Sequence, residues 1–196
     1  MDPVDGGTIW LEGRPVHITS PQEAIRLGIG LVPEDRKAQG LFLGMAVRQN
    51  ITMTRLHDLS RLGVIDRRRQ DGLARQYVEE LRIRTPGLGQ RVRALSGGNQ
   101  QKVVIARWLT LNPKVLLLDE PTRGIDVGAK VEIYALMSEL AARGVGILMI
   151  SSELPEILGV CDRILVMRGG RLVGEFNRAE ATQDAIMTLA TGGTRS

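Results

Sequence analysis

Leu95-Ser-Gly-Gly-Asn-Gln-Gln-Lys102, followed downstream by Val115-Leu-Leu-Leu-Asp-Glu120, is the stretch from which the fold is read. Ser96 can open a helix whose first residues, Gly97 and Gly98, carry no side chains to cover the backbone. A helix start of this kind presents N–H groups without intrahelical partners at the positive end of the helix dipole, and it suits an anion. Ser-Gly-Gly by itself would equally be a serine cap with glycine packing. The unbroken apolar run Val115–Leu118 reads as a strand buried on both faces. Asp119 and Glu120 then stand at its carboxyl end, where open α/β sheets place ligand-handling groups, although paired acids can also simply cap the next turn.

Outward from this stretch, elements alternate. A helix to Leu111 precedes the strand, and a helix over Val127–Arg143, a strand over Val145–Ile150, a short helix after Pro155 and a strand over Arg163–Met167 follow it. Such alternation predicts an α/β fold with a parallel sheet and right-handed crossovers. Gly169-Gly170 predicts a hairpin turn into a strand ending at Phe176, and a helix is expected near Thr182–Ala190. Upstream, β-prone segments Gly7–Leu11 and Pro15–Ile18 flank a Glu12-Gly13-Arg14 turn. Ser20-Pro21-Gln22-Glu23 is a capping-box start, Gly28 ends that helix, and a strand spans Ile29–Val32. From Met45 to Arg93 helices and polar loops take over, with Asp66 capping a helix to about Ile83 whose Leu73, Tyr77, Val78 and Leu81 share a face. Three parts result: a small N-terminal β region (1–33), a loop and helical insertion (34–94), and an α/β core part (95–196).

The 196 residues, 43% hydrophobic and 24% charged, suffice for a real core. The net charge of +4 comes from 26 basic and 22 acidic residues that are interleaved, with Arg67-Arg68-Arg69 the one dense cluster. With aromatics at 3% there is no stacking platform, so nucleic acid is not an expected partner. The single Cys161 suits a reducing compartment. Apolar runs fall far short of the about 20 residues that cross a bilayer, so membrane association is expected through a partner. His17 and His57 have no partners at metal-ligand spacing, and Asn50-Ile51-Thr52 matches a glycosylation pattern with no signal peptide before it.

The LSGGNQQK string, the apolar strand ending Asp119-Glu120, and the continuation Pro121-Thr122 then Gly124-Ile125-Asp126 resemble the signature motif, Walker B strand and D-loop of ABC-type ATPases. The resemblance implies a P-loop (RecA-like) ABC ATPase domain. It implies that Ser96, Gly97, Gly98 and Gln100 face the γ-phosphate of an ATP held by another nucleotide-binding domain. It further implies that Asp119 binds Mg²⁺, that Glu120 polarises the attacking water, and that Asp126 belongs to the D-loop at the nucleotide interface. Two positions depart from the family pattern. Glu34, in Val32-Pro33-Glu34-Asp35-Arg36-Lys37, stands where a Mg²⁺-sensing Gln is usual, and Ser152 stands where a switch-loop His is usual.

A Walker A segment, G-x-x-x-x-G-K-[ST], is absent: the lysines are Lys37, Lys102, Lys114 and Lys130, and none follows a glycine. With its two departures, from Gly6 to about Ala190, the chain resembles the second ATP-binding half of tandem importers for pentoses, galactose and related monosaccharides. The expected partners are transmembrane permease subunits and another nucleotide-binding domain, and the expected location is the cytoplasmic face of the cell membrane. The segment Asp2–Gly7 resembles the stretch just after a P-loop helix, so the chain is expected to be a C-terminal fragment whose own ATP site is incomplete. The alternative is a non-catalytic module that supplies a signature face in trans and docks on a membrane subunit. An ABC-type protein of DNA maintenance would need coiled-coil or basic-arm insertions, which the sequence lacks. With the first strand missing, Val145–Ile150 and Arg163–Met167 are expected either to pair directly or to accept a strand from another copy.

Overall fold

The computed structural model describes residues 6–192; Asp2–Asp5 of the segment likened to the stretch just after a P-loop helix lie outside them. Strands β1 (Ile9–Leu11) and β2 (Arg14–Val16) pair antiparallel across Glu12-Gly13. Both turn residues have positive φ, 50° and 73°, as a two-residue hairpin loop twisted like its strands requires. Helix α1 (Pro21–Arg26) starts as its sequence dictates: Ser20 Oγ accepts from Glu23 N, and Glu23 Oε2 accepts from Thr19 N.

Strand β3 (Ile29–Val32) lies parallel to β6 (Val115–Asp119), which lies parallel to β7 (Gly146–Ile150). β3 is thus hydrogen-bonded into the core sheet and not to the hairpin before it, because its partner is the apolar strand that sequence proximity does not reveal. Between β3 and β6 the chain runs through a π-helical turn (Arg36–Gly40), α2 (Val47–Thr52), the small hairpin β4 (Ser60–Arg61) and β5 (Val64–Ile65), α3 (Arg67–Glu80) and α4 (Gly97–Leu109). Asp66 caps α3 through Arg69 N, as expected. α4 buries Val103, Val104, Ile105 and Ala106 and packs so closely on β3 that a Cβ on Gly30 would stand 3.0 Å from the Trp108 ring. Ile133, Leu136, Met137 and Leu140 of α5 (Val127–Ala142) join the same core.

The helical insertion is tied down by a buried polar knot. Asn50 in α2 is fully buried; its Oδ1 accepts from Phe42 N at 2.9 Å and from Arg107 Nη2 at 2.9 Å. Its Nδ2 donates to Phe42 O and Ala46 O, while Arg107 Nε donates to Asn50 O at 2.8 Å. These bonds satisfy a guanidinium whose burial would otherwise be costly. Tyr77 of α3 closes the other side, donating to Leu109 O at 2.8 Å.

After β7 come α6 (Leu154–Val160), the antiparallel pair β8 (Arg163–Arg168) and β9 (Arg171–Asn177), and α7 (Gln183–Thr191). Ile164, Val166, Phe176 and Ile186 form a second, smaller core. β7 and β8 belong to separate sheets, which corrects the expectation that they pair directly. Each strand keeps its own neighbour, and among the described residues the outer edge of β7 pairs with no strand. Leu148 and Ile150 on β7 are 50% and 57% exposed, and Leu165 and Met167 on β8 are exposed as well.

Candidate functional site

Three segments meet around the ends of β6 and α4: the loop after β6, the start of α4, and the chain after β7. Ser96 precedes α4 in extended conformation, yet its side chain makes no cap hydrogen bond to the helix. Instead Ser96 Oγ accepts from Asn99 Nδ2 at 2.8 Å, and Asn99 Oδ1 accepts from Arg84 N at 2.7 Å. With its oxygen already accepting, the Ser96 hydroxyl hydrogen is free to point elsewhere, and the first N–H groups of α4 are left without the serine. The simple-cap alternative for Ser96 therefore fails. Ser96, Gly98, Asn99, Asp126 and Arg84 line a cleft of about 280 Å³.

The two glycines serve packing as well as approach. A Cβ on Gly98 would stand 2.5 Å from the Ala129 Cβ of α5, and one on Gly97 would meet Arg36 Nη2 at 2.9 Å and Gly124 O at 3.0 Å. Arg36 is buried and donates to Arg123 O at 2.6 Å and Gly124 O at 3.1 Å, so it fastens the turn after β3 to the loop after β6. Burial lowers its guanidinium pKa. Gln100, expected to face a phosphate, is turned inward: it is 4% exposed and its Nε2 donates to Val92 O and Leu95 O. One helical position separates the two amides by about 100°, and Asn99, not Gln100, lies on the cleft side. A side chain able to return to the N-cap from three residues on was the sequence signal that could have found it.

Asp119 ends β6, and Glu120 follows at φ 45°, in the left-handed region. Glu120 N donates to Ile150 O at 2.9 Å, and Glu120 Oε1 accepts from Ser152 N at 2.7 Å. Ser152 thus meets Glu120 through its backbone. Glu34 is exposed and forms an ion pair with Arg123. Asp126 Oδ1 caps α5 by accepting from Ala129 N at 3.0 Å while lining the cleft. Among the described residues no group of three or more His, Cys, Asp or Glu could hold a metal ion.

A residue that sequence reasoning missed, Glu156 of α6, is 5% exposed and lies beneath this region. Its Oε1 accepts from Thr122 Oγ1 at 2.5 Å and Lys130 Nζ at 2.9 Å, and its Oε2 accepts from Ser151 Oγ at 3.0 Å. Burial would raise its pKa, but hydrogen bonds from Thr122, Tyr134, Lys130 and Ser151 outweigh it and hold the group at about 2. Burial, then the hydrogen bond to Glu156, pushes the Tyr134 hydroxyl up to about 12. Hydrogen bonds to Glu153 and Glu156 raise the Lys130 ammonium. Because the folded-state pKa of Glu156 lies below the ordinary 4.5, its contribution to stability is complete above 4.5 and is lost as pH falls toward about 2. The expected size is on the order of 3 kcal/mol. Urea unfolding at pH 7 and pH 3 checks this: the difference should shrink in Glu156→Gln, and an unchanged pH dependence would contradict it.

A parallel sheet carrying an acidic pair at a strand end, beside a glycine-rich helix start left uncapped by its serine, defines an ATP-binding cassette. Residues 1–123 match the family model described as ABC transporter, and the chain belongs to that family. It is 53% identical over 193 residues to the ribose import ATP-binding protein of Bacillus subtilis, covering 98% of this chain and 39% of that protein. It is likewise 53% identical over 187 residues to the xylose import ATP-binding protein of Geobacillus kaustophilus, covering 95% of this chain and 37% of that protein. The chain therefore spans less than half the length of these relatives. Among solved structures it resembles an ATP-binding cassette of an ABC transporter with TM-score 0.76 at 23% identity, covering 96% of this chain and 74% of that one. A nucleotide-free cassette gives TM-score 0.76 at 22% identity, covering 95% and 74%. These structures speak to the fold, which is the P-loop ABC cassette expected from the sequence.

Proposed function

We propose that the chain is part of the ATP-binding subunit of a monosaccharide importer, and that it presents its α4 start to an ATP held by another nucleotide-binding domain. The observation that carries this is Ser96: its oxygen is occupied by Asn99, so its hydroxyl and the helix N–H groups are available to a phosphate. Ser96, Gly98 and Asn99 would hold the γ-phosphate, with Gly97 and Asp126 shaping the cleft. Mg²⁺ keeps several waters and takes one or two carboxylates plus nucleotide phosphates, so the oxygen donor of Asp119 suits it as a single protein ligand. When bound, the nucleotide would supply the hydrolysable phosphoanhydride and its ion would offset the charge on the phosphates; Glu120 stands at the strand end to orient water, and Glu34 and Ser152 flank it. The same reading divides the chain at 1–33, 34–94 and 95–196, with β3 at the end of the first part completing the core sheet of the third, and sets it on the cytoplasmic face of the membrane against permease subunits. No helix among the described residues is long and apolar enough to cross a membrane.

The unpaired edge of β7 is also the place where a second copy of this chain would add a strand, since an exposed edge presents a row of unpaired N–H and C=O groups to another strand. The sequence has no Walker A lysine, so most phosphate contacts of a complete site are missing from it. Calorimetric titration of the purified chain with Mg²⁺ and ATP should accordingly show weak binding or none. Micromolar affinity from the chain alone would overturn the assignment of ATP to another domain, and a monomer mass by light scattering would overturn strand addition.

A further inference from the structure

Glu156 accepts from two segments that flank Glu120. Thr122 is two residues beyond Glu120 on the loop after β6, and Ser151 immediately precedes the Ser152 whose amide reaches Glu120. Lys130 of α5 locks the arrangement from a third side, bonding both Glu156 and Glu153 at 2.6–2.9 Å. Ser151 Oγ also accepts from Glu153 N at 3.0 Å, which leaves the two serines little freedom relative to α6. A carboxylate this buried is expensive unless several donors converge on it. Here the donors come from three separate elements.

We infer that Glu156 is a positioning residue that holds Ser151-Ser152 over the end of β6, so that the Ser152 amide is the group that clasps Glu120. The clasp commits Oε1 of Glu120 and ties the end of β6 to the chain after β7. That segment stands at the switch position, where a side chain would otherwise have to bridge the two. Ser152 is too short to bridge by its side chain, and its backbone does so at 2.7 Å only because the segment is pinned from below. The inference deepens the proposed function and rests on it for the role of Glu120, whereas the clasp itself is a property of the chain without nucleotide.

Amide hydrogen exchange of the purified 196-residue chain tests it, read at Ser152 with Leu117 and Leu148 of the sheet as internal controls. A hydrogen bond to a charged group protects strongly, so Glu120→Ala should speed exchange at Ser152 by about tenfold or more. Glu120→Gln keeps an acceptor oxygen and should retain most of the protection. Glu156→Gln places a donor amide among four donors and should speed Ser152 exchange by about as much as Glu120→Ala, beyond the uniform speeding of the sheet amides that its lower global stability brings. The Ser152 amide proton resonance should move to the same position in both variants, although Glu156 does not touch that amide. Thr122→Val, nearly equal in shape, should give the same result in smaller measure and serves if Glu156→Gln does not fold. Ser152 exchange and resonance unchanged in folded Glu156→Gln or Thr122→Val would overturn the inference, as would equal loss of protection in Glu120→Gln and Glu120→Ala. Failure of the chain to engage ATP in any assembly would leave these results standing and would overturn only the function.

Discussion

Asn50→Leu is expected to destabilise the chain by about 2–4 kcal/mol, because it strands several buried hydrogen-bonding groups, a guanidinium among them, at once. Asn50 is fully buried and its amide serves Phe42 N, Phe42 O, Ala46 O and Arg107 Nη2 at once. A leucine of similar size fills the space but leaves the Phe42 amide and one side of a buried guanidinium unpaired, each costing about 1–3 kcal/mol. Arg107→Met removes the charge as well, and the acceptors it strands are neutral. The double variant should therefore be more stable than the sum of the single losses predicts, by about 1–3 kcal/mol of coupling. Urea unfolding of the three variants measures this. Strict additivity would show that Asn50 and Arg107 act independently, against the 2.8 and 2.9 Å bonds that join them.

The knot also marks where sequence stops being informative. Local chemistry was legible: Ser20 and Asp66 cap the helices their positions predict, Gly28 ends α1 at φ 86°, and β3 runs over Ile29–Val32 as read. Each depends on residues a few positions apart. Asn50 and Arg107 are 57 positions apart, Arg36 and Gly124 are 88, and Thr122 and Glu156 are 34. No periodicity or turn propensity relates such pairs, so Asn50 was noticed only as a glycosylation pattern and Glu156 not at all. At the site, the segment Ser96–Gly98 was legible as an anion-suited helix start. Which of Asn99 and Gln100 faces the cleft was not, because a single step of the helix decides it and the packing of Gly98 on Ala129 sets the rotation. Nor do neighbouring residues decide how free strand edges are met: of direct β7–β8 pairing and strand addition from another copy, the structure rules out the first, because β8 pairs with β9 and that hairpin forms its own small core with α7.

The largest functional effect is expected at Ser96. In a chimera where residues 6–192 replace the corresponding segment of the ribose import relative, Ser96→Arg should lower steady-state ATP hydrolysis on the order of 100-fold, the scale of losing pre-aligned donors to a developing anion. The side chain would fill the cleft of about 280 Å³, break the bond from Asn99 and force its bulk to where backbone N–H groups must meet phosphate. Its positive charge does not compensate, because Asp126 lines the same cleft and Glu132 already holds Arg84 at 2.7 Å. Glu120→Gln in the same chimera should cost less than about 10-fold, well below the 10²–10⁴ that a general base contributes at a competent site. Its amide oxygen can still accept from Ser152 N, so the tie between β6 and the chain after β7 survives the loss of charge. Neither Glu34, paired with Arg123, nor Ser152 offers the side-chain chemistry usual at those positions. Comparing the two variants separates the roles of the face and the strand end. If Glu120→Gln loses more activity than Ser96→Arg, the strand end of this chain is itself a hydrolytic site.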